Sequence, residues 1–170
     1  SSGVYFNVRE FGQSNVYHAD IKGKVKKITN GNHMLTMNDL VGSDAVATWT
    51  DPSNPSDIIS FSIDKPNKIN RLTDVNKDIF YNVEFGKVEE ITYKSVDEKY
   101  VQGWIVKPPN FDSNKKYPLV LRIHGGPHSM YHVGFNYNFQ LHAAQDQVVL
   151  YTNPRGSTGY GYDFANAIQN

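Results

Sequence analysis

The chain has 170 residues, room for one ordinary domain or pieces of two. Seventeen basic residues balance seventeen acidic ones, which argues against nucleic acid or an anionic membrane surface as a partner, and the longest apolar runs, four or five residues, fall far short of the ~20 of a membrane span. The absence of cysteine excludes a disulfide and a thiol nucleophile, and fits the cytoplasmic location expected here.

Residues 3–76 read as β-structure. Val4–Val8 is a strand, Phe11–Ser14 a turn, Asn15–Ile21 a strand, and Lys22–Lys24 turns the chain into Val25–Thr29, where charged and apolar residues alternate as on a half-exposed strand. Ala45–Thr50 is a strand, Asp51–Ser56 a loop and Asp57–Ile63 a strand, and Lys68–Thr73 closes the unit. The second half repeats the first. Asn15-Val16-Tyr17 corresponds to Asp57-Ile58-Ile59 and Lys27-Ile28-Thr29 to Arg71-Leu72-Thr73, at offsets of 42 and 44 residues. A four-stranded propeller blade takes ~40–50 residues, so two neighbouring blades are expected; the alternative is an unrelated β-sandwich. Two blades close no ring, so earlier blades are expected to precede Ser1. The chain shows no signal peptide, and its Ser-Ser-Gly start suggests that the natural N-terminus is missing.

Asn76–Tyr81 reads as one helical turn capped by Asn76, where a linker would lie. Val88–Ser95 and Tyr100–Lys107 form an antiparallel hairpin about a tight turn at Asp97–Lys99, ended by Pro108-Pro109. Leu119–Ile123 reads as a strand buried on both faces, broken off by His124-Gly125-Gly126-Pro127. Phe135–Gln147 has the length of a helix. Val148–Tyr151 is the next strand, followed by Asn153-Pro154-Arg155-Gly156-Ser157-Thr158-Gly159-Tyr160-Gly161. Strand, glycine loop, helix, strand, glycine loop is the opening of a parallel α/β sheet.

His-Gly-Gly-Pro-His after one strand and Asn-Pro-Arg-Gly-Ser-Thr-Gly-Tyr-Gly after the next, downstream of a β-rich region, resemble the prolyl oligopeptidase family of serine peptidases, in its acylaminoacyl-peptidase and dipeptidyl-peptidase-like branch. The resemblance implies a β-rich fragment with two domains: residues 1–76, the last two blades of a β-propeller, and residues 77–170, the N-terminal part of an α/β-hydrolase domain. It implies a serine peptidase acting on short peptides by acyl transfer, without a cofactor or a metal. Its expected partners are short peptide substrates, the remainder of the hydrolase domain and a possible second copy of itself.

The same resemblance implies the roles of the loop residues. The N–H of Gly126 would be one oxyanion donor, the other coming from the residue after the nucleophile. His124 and Gly125 would shape this loop, with His124 bonding backbone; His124 is no candidate base, because the catalytic histidine follows the serine in this fold. Arg155 would either bind a carboxylate bidentately or pin its loop through a salt bridge, the latter being the simpler expectation. His124, His128 and His132 are spaced four apart, but the intervening glycines and proline rule out the continuous helix a shared metal would need. Gly-x-Ser-x-Gly occurs nowhere, Ser157 lacks its spacing, and Ala165–Gln169 reads as a helix just beginning. The chain alone is therefore expected to be inactive, with an uncovered apolar face. The rival readings are a non-catalytic binding or assembly piece and a fragment of an esterase.

Overall fold

A computed structural model describes residues 2–126 and 128–168; the chain-breaking Pro127 and the Gln169 end of the last expected helix lie outside the described residues. The chain divides into two compact units, Ser1–Tyr81 with His132–Phe135, and Asn82–Tyr131 with Asn136–Asn170.

In the first unit, strands β1 (Gly3–Glu10), β2 (Gln13–Asp20) and β3 (Val25–Lys27) form one antiparallel meander, and β4 (Met34–Val41), β5 (Asp44–Thr50), β6 (Asp57–Ser62) and β7 (Lys65–Arg71) form another. A single parallel bridge, Ser14 to Met34, joins them into one sheet. The first turn is tighter than the sequence suggests. Phe11 and Gly12 alone form it, with φ of 49° and 70°, the pair of positive values that a two-residue hairpin of right-handed twist requires. Gln13 and Ser14 already belong to β2, and the buried Ser14 hydroxyl donates to Leu35 O at 2.7 Å. Strand β4 was not anticipated at all. Its alternation breaks at Asn38-Asp39, where the register shifts, and the Asn38 carboxamide accepts the Thr48 N–H at 2.8 Å. Inward residues of four strands, Val16, Leu35, Ala45, Ala47, Ile59 and Phe61, make the core, with Tyr5, Trp49 and Ile63 packed around it.

The internal repeat has a physical basis. In the first meander, Asn15 Oδ1 accepts from the Thr29 hydroxyl (3.0 Å) and the Gly31 N–H (3.2 Å), while Thr29 Oγ1 accepts the Val16 N–H (2.9 Å). In the second, Asp57 Oδ1 accepts from the Thr73 hydroxyl (2.6 Å) and the Val75 N–H (3.2 Å), while Thr73 Oγ1 accepts the Ile58 N–H (2.9 Å). Each clasp ties the first half of a strand to the chain about fifteen residues later, bond for bond. The second adds a charge: Arg71 donates to Asp57 Oδ2 through Nε (3.0 Å) and Nη2 (2.5 Å). Burial would push the Asp57 carboxyl up, but the Thr73 hydroxyl, Arg71 and the Val75 N–H outweigh it and hold the group below the ordinary carboxylate range. Asn15 offers no such charge, and Lys27 pairs instead with Glu10 at 3.3 Å.

Helix α1 (Lys77–Phe80) is the expected single turn, but the Asn76 side chain makes no cap bond. The His132–Phe135 segment packs into this unit. Val133 is buried and its N–H donates to Gly12 O at 2.9 Å; the Phe135 N–H donates to Thr50 Oγ1 at 3.1 Å, and its ring lies 5.8 Å from that of Phe80.

The second unit is a mixed sheet in the order β10-β11-β9-β8. Strands β8 (Lys87–Lys94) and β9 (Tyr100–Lys107) form the antiparallel hairpin, with a loop over Ser95–Lys99 rather than a three-residue turn. Strand β11 (Val148–Asn153) runs antiparallel to β9 and parallel to β10 (Leu119–Arg122). Between β10 and β11 runs α2 (Tyr137–Ala144), shorter than expected at both ends. The Asn136 side chain caps its start through the Phe139 N–H at 3.1 Å, and Asp146, at φ 56°, turns the chain away after its end. Phe139, Trp104 and Tyr151 stack at its core, with ring centroids 5.3 Å (Trp104–Tyr151) and 4.7 Å (Phe139–Tyr151) apart. The expectation that Leu119–Ile123 is buried on both faces is overturned. Strand β10 lies at the sheet edge, α2 packs on β11 and β9, and Leu121 is 55% exposed, with Leu119 and Ile123 more so. The last helix, α3 (Tyr162–Asn166), begins three residues before the expected start at Ala165.

Candidate active site: two glycine loops at the ends of parallel strands

In a parallel sheet the strands end on the same side, so the loops after β10 and β11 are neighbours, and ligands in such folds bind beyond those carboxyl ends. The first loop follows Arg122. Gly126 has φ 132°, and a Cβ there would lie 2.9 Å from the His128 nitrogen, so both the backbone conformation and the space demand glycine. Beside Gly125 a Cβ would meet nothing within 4 Å, and both glycines are exposed. The backbone here is open to an approaching ligand.

The second loop begins at Asn153, the third inward position of β11 after Val149 and Tyr151, and fully buried. Its carboxamide accepts the Tyr131 N–H (2.7 Å) and donates to Tyr131 O (2.9 Å) and to the Tyr160 hydroxyl (2.7 Å). Tyr160 donates in turn to Gln102 Oε1 (2.5 Å), and Gln102 to Glu90 Oε1 (2.7 Å). Burial raises the Tyr160 hydroxyl to about 12, so it stays a donor at neutral pH. Pro154–Ser157 forms a tight turn closed by the Ser157 N–H on Pro154 O at 3.0 Å.

Three consecutive residues of the second loop, Gly156, Ser157 and Thr158, hold the first. Ser157, with 0% of its surface exposed, places Oγ 2.8 Å from His124 Nε2. Gly156 O accepts from His128 Nδ1 at 3.1 Å, and the Thr158 N–H donates to Ser129 O at 2.9 Å.

The residues singled out from sequence fall in place as follows. Gly125 and Gly126 form the open turn of the first loop, and His124 stands at its start. Its bond is not to backbone alone: Nδ1 lies 3.2 Å from Gly125 O, but the shorter contact is the Ser157 hydroxyl. Arg155 pairs with Asp97 of the β8–β9 loop at 3.2 Å. His132 packs in the other unit, and among the described residues no three His, Asp or Glu side chains gather as a metal site. Sequence reasoning missed Asn153, Tyr131 and the roles of Ser157 and Tyr160. Asn153 carried a signal, a polar residue in the inward phase of an apolar strand; Ser157 carried none, its partner lying 33 residues away.

A mixed sheet whose two parallel strands end in neighbouring glycine-rich loops, the first with an exposed backbone, is the arrangement the two motifs build here. Residues 133–170 match the model of the prolyl oligopeptidase family. The whole chain is similar to Uncharacterized peptidase YuxL of Bacillus subtilis, 34% identical over 99% of this chain and 26% of that protein. It is also similar to Dipeptidyl-peptidase 5 of Porphyromonas gingivalis, at 29% over 99% of this chain and 25% of the relative. Among solved structures, acylaminoacyl peptidase of Pyrococcus horikoshii superposes with a TM-score of 0.83 at 30% identity, over 98% of this chain and 26% of that one. The match to the prolyl oligopeptidase family thus lies in residues 133–170, and the likeness to these peptidases runs over nearly the whole chain. The chain spans about a quarter of the length of these relatives.

Proposed function

We propose that the chain is a segment of a serine peptidase that hydrolyses short peptides by acyl transfer, and that it supplies one oxyanion donor, the Gly126 N–H, while the Ser-Asp-His triad lies outside these residues. In this reading residues 1–76 are the last two blades of a β-propeller and residues 77–170 open an α/β-hydrolase domain. The Asn15 and Asp57 clasps support the blades, since they repeat at blade spacing and the second lies in a four-stranded antiparallel meander, β4–β7. The relatives' names, a dipeptidyl-peptidase and an acylaminoacyl peptidase, support an enzyme that releases short pieces from peptide N-termini.

The chemistry follows from the donor set. A serine hydroxyl adds to the peptide carbonyl as a histidine takes its proton, and the carbonyl oxygen becomes anionic. The amine leaves with that proton, and water hydrolyses the acyl-enzyme by the same steps in reverse. An N–H fixed before the reaction stabilises the oxyanion without reorganisation, and losing one such donor typically costs ~10²–10³ in kcat. One observation carries the reading: an exposed glycine backbone at φ 132°, held at the end of a parallel strand.

The test uses the intact peptidase and a dipeptidyl or acyl-aminoacyl p-nitroanilide. Gly126→Ala, whose side chain would displace the N–H, is expected to lower kcat by about 10²–10³ with KM within a few-fold. An unchanged kcat, or turnover by the 170-residue chain alone, would overturn the reading.

A further inference from the structure

Ser157 and His124 have the geometry of a nucleophile and its base. Oγ lies 2.8 Å from Nε2, within the reach such pairs require. The pair nevertheless cannot attack a substrate. Ser157 has no exposed surface, so no carbonyl carbon can approach its oxygen. Its hydroxyl is instead a buried hydrogen-bonding group whose only use is structural or positional.

We infer that Ser157 is a positioning residue for the Gly125-Gly126 turn, acting through His124, and that residues 156–158 form a three-point clamp on the first glycine loop. The inference rests on the reading of Gly126 as an oxyanion donor and adds the device that holds the donor still.

The loop needs such a device. Two exposed glycines in sequence have more backbone freedom than any other pair, and nothing within 4 Å confines a Cβ at Gly125. A donor is useful only if it is held before the reaction, since an N–H that must be ordered at the moment of reaction loses its advantage. The clamp confines both flanks. On the strand side, His124 is held by the Ser157 hydroxyl. With Nδ1–H directed to Gly125 O at 3.2 Å, Nε2 is the acceptor and the hydroxyl donates. On the far side, His128 donates to Gly156 O and Ser129 O accepts from Thr158, so the loop is gripped by three neighbours in sequence.

The clamp is itself anchored. The Ser157 N–H closes the turn on Pro154 O, and the Gly156 N–H donates to Phe164 O at 3.0 Å. Gly156 sits at φ 93° against Ile168, whose Cδ1 would be 2.8 Å from a Cβ. The second loop thus acts as a rigid jaw and the first as the part gripped.

The test compares wild type, Ser157→Ala, His124→Ala, the double variant and Gly126→Ala in the intact peptidase. Two readouts are used: steady-state kinetics on a p-nitroanilide peptide, and hydrogen exchange of peptides covering residues 123–130 and 137–144. The expected result for Ser157→Ala is a kcat lowered about 5–20-fold with KM within twofold. Exchange should rise about tenfold at 123–130 while α2 stays unchanged. The double variant should lose no more than His124→Ala, since the serine acts through the histidine. Unchanged exchange at 123–130, or a Ser157→Ala kcat within twofold of wild type while Gly126→Ala loses 100-fold, would overturn the positioning role and leave the donor role standing. A Gly126→Ala enzyme with wild-type kcat would remove the donor role, and the clamp's catalytic meaning with it, even if exchange rose in Ser157→Ala.

Discussion

The two units bury polar side chains in different ways. In the first, Asn15 and Asp57 each close a clasp within one meander, tying the first half of a strand to a threonine and a backbone N–H farther on. The bonded groups include the Val16 and Ile58 N–H groups, each taken by a threonine hydroxyl, and the result is a repeated scaffold. In the second, Asn153 and Ser157 reach out of their own element and brace the loop that carries the exposed Gly125 and Gly126. A buried polar group that satisfies its own strand marks architecture; one that immobilises an exposed glycine turn marks a site. The same contrast separates the glycines: Phe11-Gly12 makes a hairpin turn, whereas Gly126 leaves open backbone.

The contrast is broken or sharpened by substitution. The largest effect belongs to the open loop, where Gly126→Ala is expected to lower kcat by about 10²–10³. Next come the clasps. Asp57→Ala strands the Thr73 hydroxyl, the Val75 N–H and Arg71, and is expected to cost about 2–4 kcal/mol in the opening of β6. Asn15→Ala, which removes a neutral acceptor, should cost about 1–3 kcal/mol in β2. Hydrogen exchange on the intact protein measures both, and equal losses would mean that the charge of the second clasp adds nothing.

A smaller effect tests that charge by pH. The folded Asp57 carboxyl lies below its ordinary range, so its contribution is fully present above the unfolded value of about 3.9 and is lost as pH falls through the lower folded value. Protection of β6, corrected for intrinsic exchange, should weaken over that acid window in wild type and flatten in Asp57→Asn, while β2, whose Tyr17 holds Glu10 low together with Lys27, keeps its own acid limb in both proteins. A wild-type β6 limb retained in Asp57→Asn would assign it to another group. The smallest effect is at Arg155. The Arg155 side chain is 41% exposed, so losing its pair with Asp97 should cost no more than about 1 kcal/mol, and Arg155→Gln should leave KM within twofold. A tenfold rise in KM would show that Arg155 binds a substrate carboxylate.

Much of this was legible in the sequence, for definite reasons. The repeat was readable because the clasp needs Asn or Asp, then Thr, about fifteen residues on, and because β6 and the first half of β5 alternate between buried and more exposed positions. Strand β4 was not, because the bulge at Asn38 breaks the period on which strand recognition depends. The burial of Leu119–Ile123 was misjudged, because an apolar run reports what a strand can bury and not what covers it. The glycines of the site were readable as punctuation. The clamp was not, because Ser157 and His124 are brought together only by the parallel pairing of β10 with β11.

The central claim is that the Gly126 N–H is held where an oxyanion forms. A crystal structure of the intact peptidase with a peptide boronate tests it most directly, because the tetrahedral boron places an oxygen where the oxyanion would stand. The account predicts that oxygen at about 2.7–3.1 Å from the Gly126 nitrogen, with the His124–Ser157 contact intact. A boronate oxygen turned away from this loop, its place taken by donors from other residues, would contradict it.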